Sequence, residues 1–154
     1  MLDYPLINKK FKPIVVTIRK ERLQSFAKAT SQTDPIYYNE NVAIEKGHPS
    51  ILAPLTFLTT IGYEQDKPYQ YIADLGIDLQ RMLHAGQTYK YYYPIYAGDS
   101  ITMEKKIVDI YDKKNGALQF IKFQSTYTNQ NDIIVSVATF TIVIKQDNGQ
   151  TGIK

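Results

Sequence analysis

The sequence predicts an α+β fold in which an antiparallel sheet wraps around a long central helix. Two observations lead to this prediction: the second half consists of long β-branched and aromatic runs, and the first half holds one helical segment without any charged residue. A third observation limits the number of domains, because 154 residues that are 44% hydrophobic and 21% charged are typical of one globular domain. We therefore expect a single domain at residues 1–145 and a polar tail at 146–154.

An edge strand and an amphipathic helix are predicted near the start of the chain. Residues 11–18 are rich in β-branched side chains, which favours a strand at the edge of the sheet. Residues 17–29 place Leu23, Phe26 and Ala27 at the three- and four-residue spacing of one helix face. A polar stretch that contains a proline follows, and it ends this helix.

Two further helices are expected before the sheet. Asn39 can cap a short helix at residues 40–46, which Gly47 ends. The segment 54–62 differs, because its apolar residues alternate with threonines and none of its residues is charged. A helix without a charged face is normally buried on all sides, so we expect this segment at the centre of the fold.

The second half predicts an antiparallel meander of at least four strands. Asn115-Gly116 is a strong hairpin signal between two long runs. A shorter strand is expected at 87–93, where Pro94 ends it. Such a sheet, following one uncharged helix, is typical of the hot-dog arrangement. The three long strands are predicted at residues 104–111, 118–127 and 133–144.

The composition excludes several kinds of site. A net charge of +3 does not indicate a nucleic-acid partner, and the absence of cysteine excludes disulfides, thiolate metal sites and cysteine nucleophiles. The two histidines, His48 and His84, leave little material for a metal site, so we expect none. Thirteen tyrosines stand beside six phenylalanines and no tryptophan. Tyrosines are suited to a wet interface or a pocket wall.

The first residues and the hydropathy of the sequence predict where in the cell the protein is found. The first residues lack the basic region and apolar run of a secretory signal, and no segment has the roughly 18 consecutive apolar residues of a membrane span. We therefore expect a cytoplasmic protein with no membrane partner.

Three stretches of the sequence carry a resemblance to a known family. They are residues 26–43, 51–63 and 93–101, and their most specific parts are Leu-Ala-Pro-Leu-Thr-Phe at 52–57 and Pro-Ile-Tyr-Ala-Gly-Asp at 94–99. In this order and spacing they resemble the MaoC-like hydratase/dehydratase family, over roughly residues 10–145. The chain is most similar to the N-terminal dehydratase-type branch, which includes the non-catalytic subunits of heterodimeric (3R)-hydroxyacyl-carrier-protein dehydratases.

The resemblance implies a hot-dog domain that dimerises and binds a fatty-acyl thioester beside the central helix. The acyl group is carried on coenzyme A or acyl carrier protein, and no further cofactor is expected. Catalytic members dehydrate a 3-hydroxyacyl thioester or hydrate its enoyl product. This chemistry needs groups that move a proton at C2 and at the 3-hydroxyl, and a donor that stabilises the enolate oxygen.

The catalytic pair of the family is replaced in this sequence. The family's Asp aligns with Gln32, and its His, five residues later, aligns with Tyr37. Glutamine cannot accept a proton at neutral pH, and a tyrosine with a pKa of about 10 is a poor general base. Asp34, at the family's Asn position, is expected to cap the turn beside Pro35. The alternative is that Asp34 or Tyr37 has taken over catalysis.

The resemblance also implies a set of substrate-binding residues. In the family, a backbone N–H at the start of the central helix faces the thioester carbonyl, and the matching position is Ala53, just before Pro54. A helix start with ordinary core packing is the other interpretation of this segment. The substrate-binding residues expected on this basis are Ala53, Pro54, Thr56, Phe57 and Tyr63.

Other residues carry weaker signals. His48 is expected in an exposed loop, with contact to the pantetheine or phosphate part of a substrate as the alternative. His84 is expected to be solvated or bound to a backbone carbonyl. Tyr89, Tyr91 and Tyr93 alternate along one strand, and we expect cross-strand packing and a dimer or tunnel surface there rather than a nucleic-acid site.

The sequence therefore favours an acyl-thioester-binding hot-dog protein. One hypothesis is the substrate-holding subunit of a dehydratase, paired with a catalytic MaoC-like subunit; another is a homodimer with reduced or altered activity. An acyl-CoA thioesterase is a further alternative, although residues 51–63 hold no carboxylate to activate water. The last alternative is a non-catalytic acyl-CoA-binding protein.

Overall fold

A five-stranded antiparallel sheet forms the body of the fold. A computed structural model of the chain describes Leu2 and residues 4–146. The strands lie in the order β1-β3-β4-β5-β2, so that β1 and β2 are the two edges of the sheet. Their bounds are β1 Ile14–Thr17, β2 Met82–Tyr91, β3 Ser100–Lys113, β4 Leu118–Thr128 and β5 Ile134–Lys145.

The central hairpin joins β3 to β4 at the predicted turn. Lys114, Asn115 and Gly116 all have positive φ angles, of 53°, 52° and 82°. Asparagine and glycine adopt this conformation most readily, which is why Asn-Gly is a strong hairpin signal. The hairpin sets the register in which Ile110 lies opposite Ile121.

In the described part of the chain, four α-helices of ten residues or fewer pack around this sheet. They are α1 (Lys20–Ala29), α2 (Glu40–Glu45), α3 (Leu58–Ile61) and α4 (Gln70–Ala73). Asn39 caps α2 as predicted, because its side-chain oxygen accepts hydrogen bonds from the amides of Asn41 and Val42. Helix α4 was not predicted from the sequence. Single 3₁₀ turns lie at Tyr4–Leu6, Pro35–Tyr37, Leu55–Phe57 and Leu79–Arg81.

The central helix is shorter and more exposed than predicted. The segment 54–62 forms a 3₁₀ turn followed by the single turn of α3, and Thr56 and Thr59 are exposed. The hydroxyls of Thr59 and Thr60 bind the carbonyl oxygens three residues earlier, each at 2.8 Å. Such bonds compete with a regular helix, and they explain why no long helix forms here.

The central helical segment nevertheless forms a buried layer against the sheet, as predicted. Phe57, Leu58 and Ile61 are buried, and they belong to one apolar cluster with Ile101 of β3 and Val135 of β5. The sheet therefore packs against the short central helical segment. A second cluster, around Ile72 and Phe123, occupies the other end of the sheet.

The strands differ from their predicted bounds mainly at β2. This strand begins at Met82, five residues before the predicted 87–93 segment, and it ends at Tyr91. Residues 82–86 have little intrinsic strand preference, but Met82 pairs with Ile144 of β5. Tertiary pairing decides strand formation in such a segment.

The remaining predictions on organisation concern the C-terminus and the membrane. Of the predicted polar tail at 146–154, only Gln146 lies within the described residues, and its amide binds the carbonyl of Ala117 at 2.9 Å. Among the described residues, no helix is long and apolar enough to cross a membrane.

Candidate active site

A cleft lies where the loop after α1 meets the start of the central helical segment. We call it the Tyr37 cleft. Its volume is about 250 Å³ and its walls are mainly apolar. The described residues that line it include no Asp, Glu or His. They are Tyr37, Leu52, Ala53, Pro54, Leu55, Leu58, Tyr91, Tyr92, Tyr93, Pro94 and Ile95.

The structure brings one of the two dyad positions into this cleft. Tyr37 ends the 3₁₀ turn that follows α1, and its half-buried phenol makes no hydrogen bond to any described residue. Gln32 is exposed and does not line the cleft; its carbonyl oxygen accepts a hydrogen bond from the phenol of Tyr38 at 2.7 Å. The two positions that carry the catalytic pair in the family are thus separated here.

Asp34 has the capping role expected from the sequence. Its carboxylate accepts a hydrogen bond from the amide of Ile36 at 3.0 Å and contacts the ammonium group of Lys46 at 3.4 Å. The hydrogen bond from Ile36, and then Lys46, hold the pKa of Asp34 below its usual value. Asp34 does not line the Tyr37 cleft, and an ionised cap outside the cleft is poorly suited to proton transfer there.

A short antiparallel bridge positions Ala53 and Pro54 in the cleft. Leu52 pairs with Tyr96, and the amide of Ala53 donates to the carbonyl oxygen of Ile95 at 2.8 Å. The N–H group that the resemblance assigns to the thioester carbonyl is therefore already bonded. Ala53 and Pro54 still line the cleft, as wall residues.

The other predicted substrate-binding residues lie outside the Tyr37 cleft. Thr56 is exposed, and Phe57 is buried with its ring edge-on to Phe26, at 5.5 Å between ring centroids. Tyr63 is exposed and lies 5.9 Å from Tyr69, ring to ring. Tyr63 lines a different cavity, and Phe57 does not fill the cleft.

Strand β2 supplies the opposite wall of the cleft. The phenol of Tyr91 donates to the carbonyl oxygen of Leu55 at 3.0 Å, and burial raises the pKa of this phenol. The Tyr91 ring stacks on Tyr89, with 5.7 Å between centroids and 14° between planes. Tyr91 therefore lines the Tyr37 cleft while its ring stacks on its neighbour along the strand.

A second cavity lies on the other side of the stacked tyrosines. We call it the Lys105 cavity; its volume is about 260 Å³. Burial raises the pKa of Tyr71 and of Tyr127 and lowers that of Lys105 to about 8. Sequence reasoning missed Lys105, although its position between Met103 and Ile107, both inward-facing on β3, is a signal for an inward-facing lysine.

Neither histidine lines the Tyr37 cleft. His48 is half-buried and its Nδ1 lies 3.2 Å from the phenol oxygen of Tyr96. His84 is exposed and lies at the rim of the Lys105 cavity, with Nε2 at 3.4 Å from the side-chain oxygen of Gln87. Within the described part of the chain, no cluster of three or more His, Cys, Asp or Glu residues could hold a metal ion.

Comparisons with known proteins agree with this architecture. A UPF0336 protein of Streptomyces coelicolor is 30% identical over 107 residues, which are 69% of this chain and 71% of that protein. The crystal structure of the C-terminally truncated HadBC (3R-hydroxyacyl-ACP dehydratase) complex from Mycobacterium tuberculosis matches with a TM-score of 0.77 and 20% identity, over 92% of this chain and 99% of that one.

A second solved complex has the same fold. The ChsH1-ChsH2 complex from Mycobacterium tuberculosis matches with a TM-score of 0.67 and 18% identity, over 90% of this chain and 98% of that one. These likenesses confirm the predicted hot-dog fold. The model of the FAS1-like dehydratase domain region matches residues 6–139. The chain therefore belongs to the FAS1-like dehydratase domain family, the MaoC-like hot-dog dehydratases that its motifs resemble.

Proposed function

We propose that this protein is the substrate-holding subunit of a (3R)-hydroxyacyl-thioester dehydratase or enoyl hydratase. The observation that carries the proposal is the composition of the Tyr37 cleft, whose described lining holds no carboxylate and no imidazole. Dehydration requires a base at C2 and an acid at the 3-hydroxyl. The cleft offers an apolar wall for a substrate but only phenols for proton transfer, so the catalytic pair comes from a second, MaoC-like subunit.

The edge of the sheet supports pairing with another subunit. Among the described residues, strand β2 pairs with β5 alone, which leaves its other edge open within that part of the chain. Leu83 on this strand is 69% exposed, and Tyr92 and Tyr93 are exposed directly after it. Open edge strands with exposed apolar residues are sites of strand pairing between chains. The HadBC and ChsH1-ChsH2 matches are themselves complexes, which favours a heteromeric partner over a second copy of this chain.

The substrate is an acyl thioester on coenzyme A or acyl carrier protein. The Tyr37 cleft is open at the surface beside Leu55, which is 59% exposed, so that a thioester can enter without unfolding of the core. The thioesterase alternative needs a carboxylate that activates water, and the described linings of the Tyr37 cleft and the Lys105 cavity contain none.

Hydration of crotonyl-CoA tests this proposal. The chain is expressed in its native host with an affinity tag, and co-purifying homologous subunits are identified by mass spectrometry. We expect no turnover by the chain alone and turnover by the complex. In the complex, Tyr37→Phe in this chain should leave kcat within a factor of two of the wild type, as should the matched control Tyr38→Phe.

Two results would contradict the proposal. One is robust turnover by the chain alone that Tyr37→Phe lowers by a factor of about 100 or more, the range expected for loss of a general acid or base. The other is an absence of thioester binding by both the chain and its complex, measured by calorimetry.

A further inference from the structure

A row of small residues leaves a hollow on the inner face of the sheet. Lys105, Ser125, Ala138 and Tyr89 are neighbours across β3, β4, β5 and β2. The residues at the centre of this row are a serine and an alanine. The rows on either side contain Tyr127 and the stacked pair Phe123 and Phe140, so the small pair makes a gap in an otherwise filled layer. This gap is the floor of the Lys105 cavity.

Lys105 brings a positive charge into this hollow. Its Nζ lies 3.6 Å from the ring centroid of Tyr71 and 5.2 Å from that of Phe140. No ion pair or side-chain hydrogen bond among the described residues includes Lys105. Aromatic faces attract a cation but offer it no hydrogen-bond acceptor. The donor capacity of this ammonium group is therefore unused within the described chain.

The charges around Lys105 are unequally distributed between its two sides. On the cavity side the described lining has no carboxylate, and the other titratable groups there are His84 and five tyrosines: Tyr63, Tyr69, Tyr71, Tyr89 and Tyr127. On the other side lies a surface groove of about 420 Å³ lined by Asp66 and Asp74, together with Lys12 and Lys67. Neither aspartate lies within ion-pair distance of Lys105.

We propose that the Lys105 cavity binds an apolar chain that ends in a carboxylate, with the carboxylate on the Lys105 ammonium group. The methyl, methylene and ring groups of Met82, Met103, Tyr71 and Phe140 provide the apolar walls for such a chain. A carboxylate supplies the acceptors that the ammonium group lacks, and folding has already removed part of the water around Lys105, which is half-buried.

The position of the cavity connects this site to the Tyr37 cleft. Tyr89 lines the Lys105 cavity, Tyr91 lines the Tyr37 cleft, and the two rings stack on each other. Thr59, which also lines the Lys105 cavity, and Tyr89 hydrogen-bond to each other through their hydroxyls. Displacement of the Tyr89 ring would join them into one path. In that arrangement the substrates are ω-carboxyacyl thioesters; this assignment, unlike the carboxylate site itself, rests on the proposed function.

Binding of octanoate and of octanamide to the full chain tests the carboxylate site without any thioester. The two ligands have the same chain, but only octanoate is charged at pH 7. By calorimetry we expect the wild type to bind octanoate about tenfold more tightly than octanamide, a typical effect of a charge-assisted hydrogen bond. Lys105→Met should abolish the difference, and Lys105→Arg should retain most of it. The matched control is Lys106→Met, on the opposite face of the same strand.

A second binding experiment, with thioesters, distinguishes failure of this inference from failure of the proposed function. It compares octanoyl-CoA with the CoA thioester of octanedioic acid on the same variants. A Lys105-dependent preference for octanoate, with no binding of either thioester by the chain or by its complex, supports the site and contradicts the proposed function. Equal binding of octanoate and octanamide overturns the inference, even if both thioesters bind. If octanoate is preferred but the two thioesters bind equally well, only the assignment of ω-carboxyacyl thioesters as substrates is overturned, and the carboxylate site stands.

A measurement on the wild type makes the test independent of any variant. With lysine labelled by ¹³C at Cε, octanoate should shift the Lys105 resonance and raise the pKa of its ammonium group, while octanamide should do neither. An unchanged Lys105 resonance at saturating octanoate overturns the inference.

Discussion

The phenol of Tyr91 donates a hydrogen bond to the carbonyl oxygen of Leu55 at 3.0 Å. This bond joins the end of the edge strand β2 to the 3₁₀ turn that precedes α3. Both residues line the Tyr37 cleft, so the bond holds two of its walls together. The short helical segment gains an attachment to the sheet that its own backbone does not provide.

Removal of this phenol should destabilise the fold modestly. Tyr91→Phe deletes the hydrogen bond and keeps the ring that stacks on Tyr89. We expect the free energy of unfolding in urea to fall by about 1 kcal/mol, the usual net value of one such bond. Tyr92→Phe is the control, since the Tyr92 hydroxyl has no hydrogen-bond partner among the described residues. Equal losses in both variants would contradict a specific role of the Tyr91–Leu55 bond.

The half-buried Lys105 should make stability depend on pH in the alkaline range. Burial lowers its pKa from 10.5 to about 8, so the unfolded chain binds the proton more tightly than the folded one. The destabilisation is complete below pH 8 and is lost as the pH rises towards the unfolded value. Lys105→Met should therefore raise the free energy of unfolding at pH 7 by at most about 3 kcal/mol. The gain is limited because the attraction between the Tyr71 ring and the ammonium group offsets part of the desolvation cost of Lys105.

Urea denaturation at pH 7 and at pH 9.5 checks this expectation. The gain from Lys105→Met should shrink at the higher pH, whereas Lys106→Met should have little effect at either. The raised pKa values of Tyr71 and Tyr127 are common to wild type and variant, so they cancel in the difference. A constant gain across this range would show that burial does not shift the pKa of Lys105.

Asp34 should act on stability rather than on chemistry. Asp34→Ala removes the acceptor for the amide of Ile36 and should lower the melting temperature, while Asp34→Asn keeps a capping oxygen and should lower it less. Because the pKa of Asp34 is lowered in the fold, its contribution is present above its usual value of 3.8 and is lost as the pH falls through the folded value. Asp34→Asn should flatten the acid side of the stability profile.

The crotonyl-CoA assay also distinguishes the two roles of Asp34. Asp34→Asn should leave the turnover of the complex unchanged at a temperature where the variant is folded. A large loss of kcat in a folded variant would instead identify Asp34 as a replacement catalytic group.

The Tyr89 ring between the two cavities should determine which acyl chain length the protein prefers to bind. Tyr89→Leu removes a ring from the wall of the Lys105 cavity and one of the two partners of the Thr59 hydroxyl. We expect the preference for decanoyl-CoA over hexanoyl-CoA to increase by about fourfold for each methylene that becomes buried. Tyr111→Leu is the control, because Tyr111 stacks on Phe120 and lines neither cavity. An unchanged preference would mean that the cavities stay separate.

The strands were easier to predict than the central helix, for physical reasons. Asn115 and Gly116 determine a local turn, which pairs the long β-branched runs on its two sides with each other. The segment 54–62 has no such local signal: its lack of charge indicated burial, but its threonines bind their own backbone and shorten the helix. Segment 82–86 became a strand only because β5 lies beside it.

The candidate site was predicted only in part, because burial and hydrogen-bond partners depend on distant residues. The replacement of the catalytic pair by Gln32 and Tyr37 is readable from the motif alone. The sequence does not show that Tyr37 lines a cleft from which Gln32 is absent. It also does not show that the amide of Ala53 is bonded to Ile95, a residue 42 positions away in the chain.

By itself, the sequence determined the class of fold, the family and the loss of the usual catalytic pair, because each of these depends on residue types at short spacings. The tertiary structure alone decided which side chains share a cavity. Lys105, Ser125, Ala138 and Tyr89 meet only through the register of four strands. A positive charge between aromatic rings is a consequence of that register, since neighbours across a sheet are far apart in the chain.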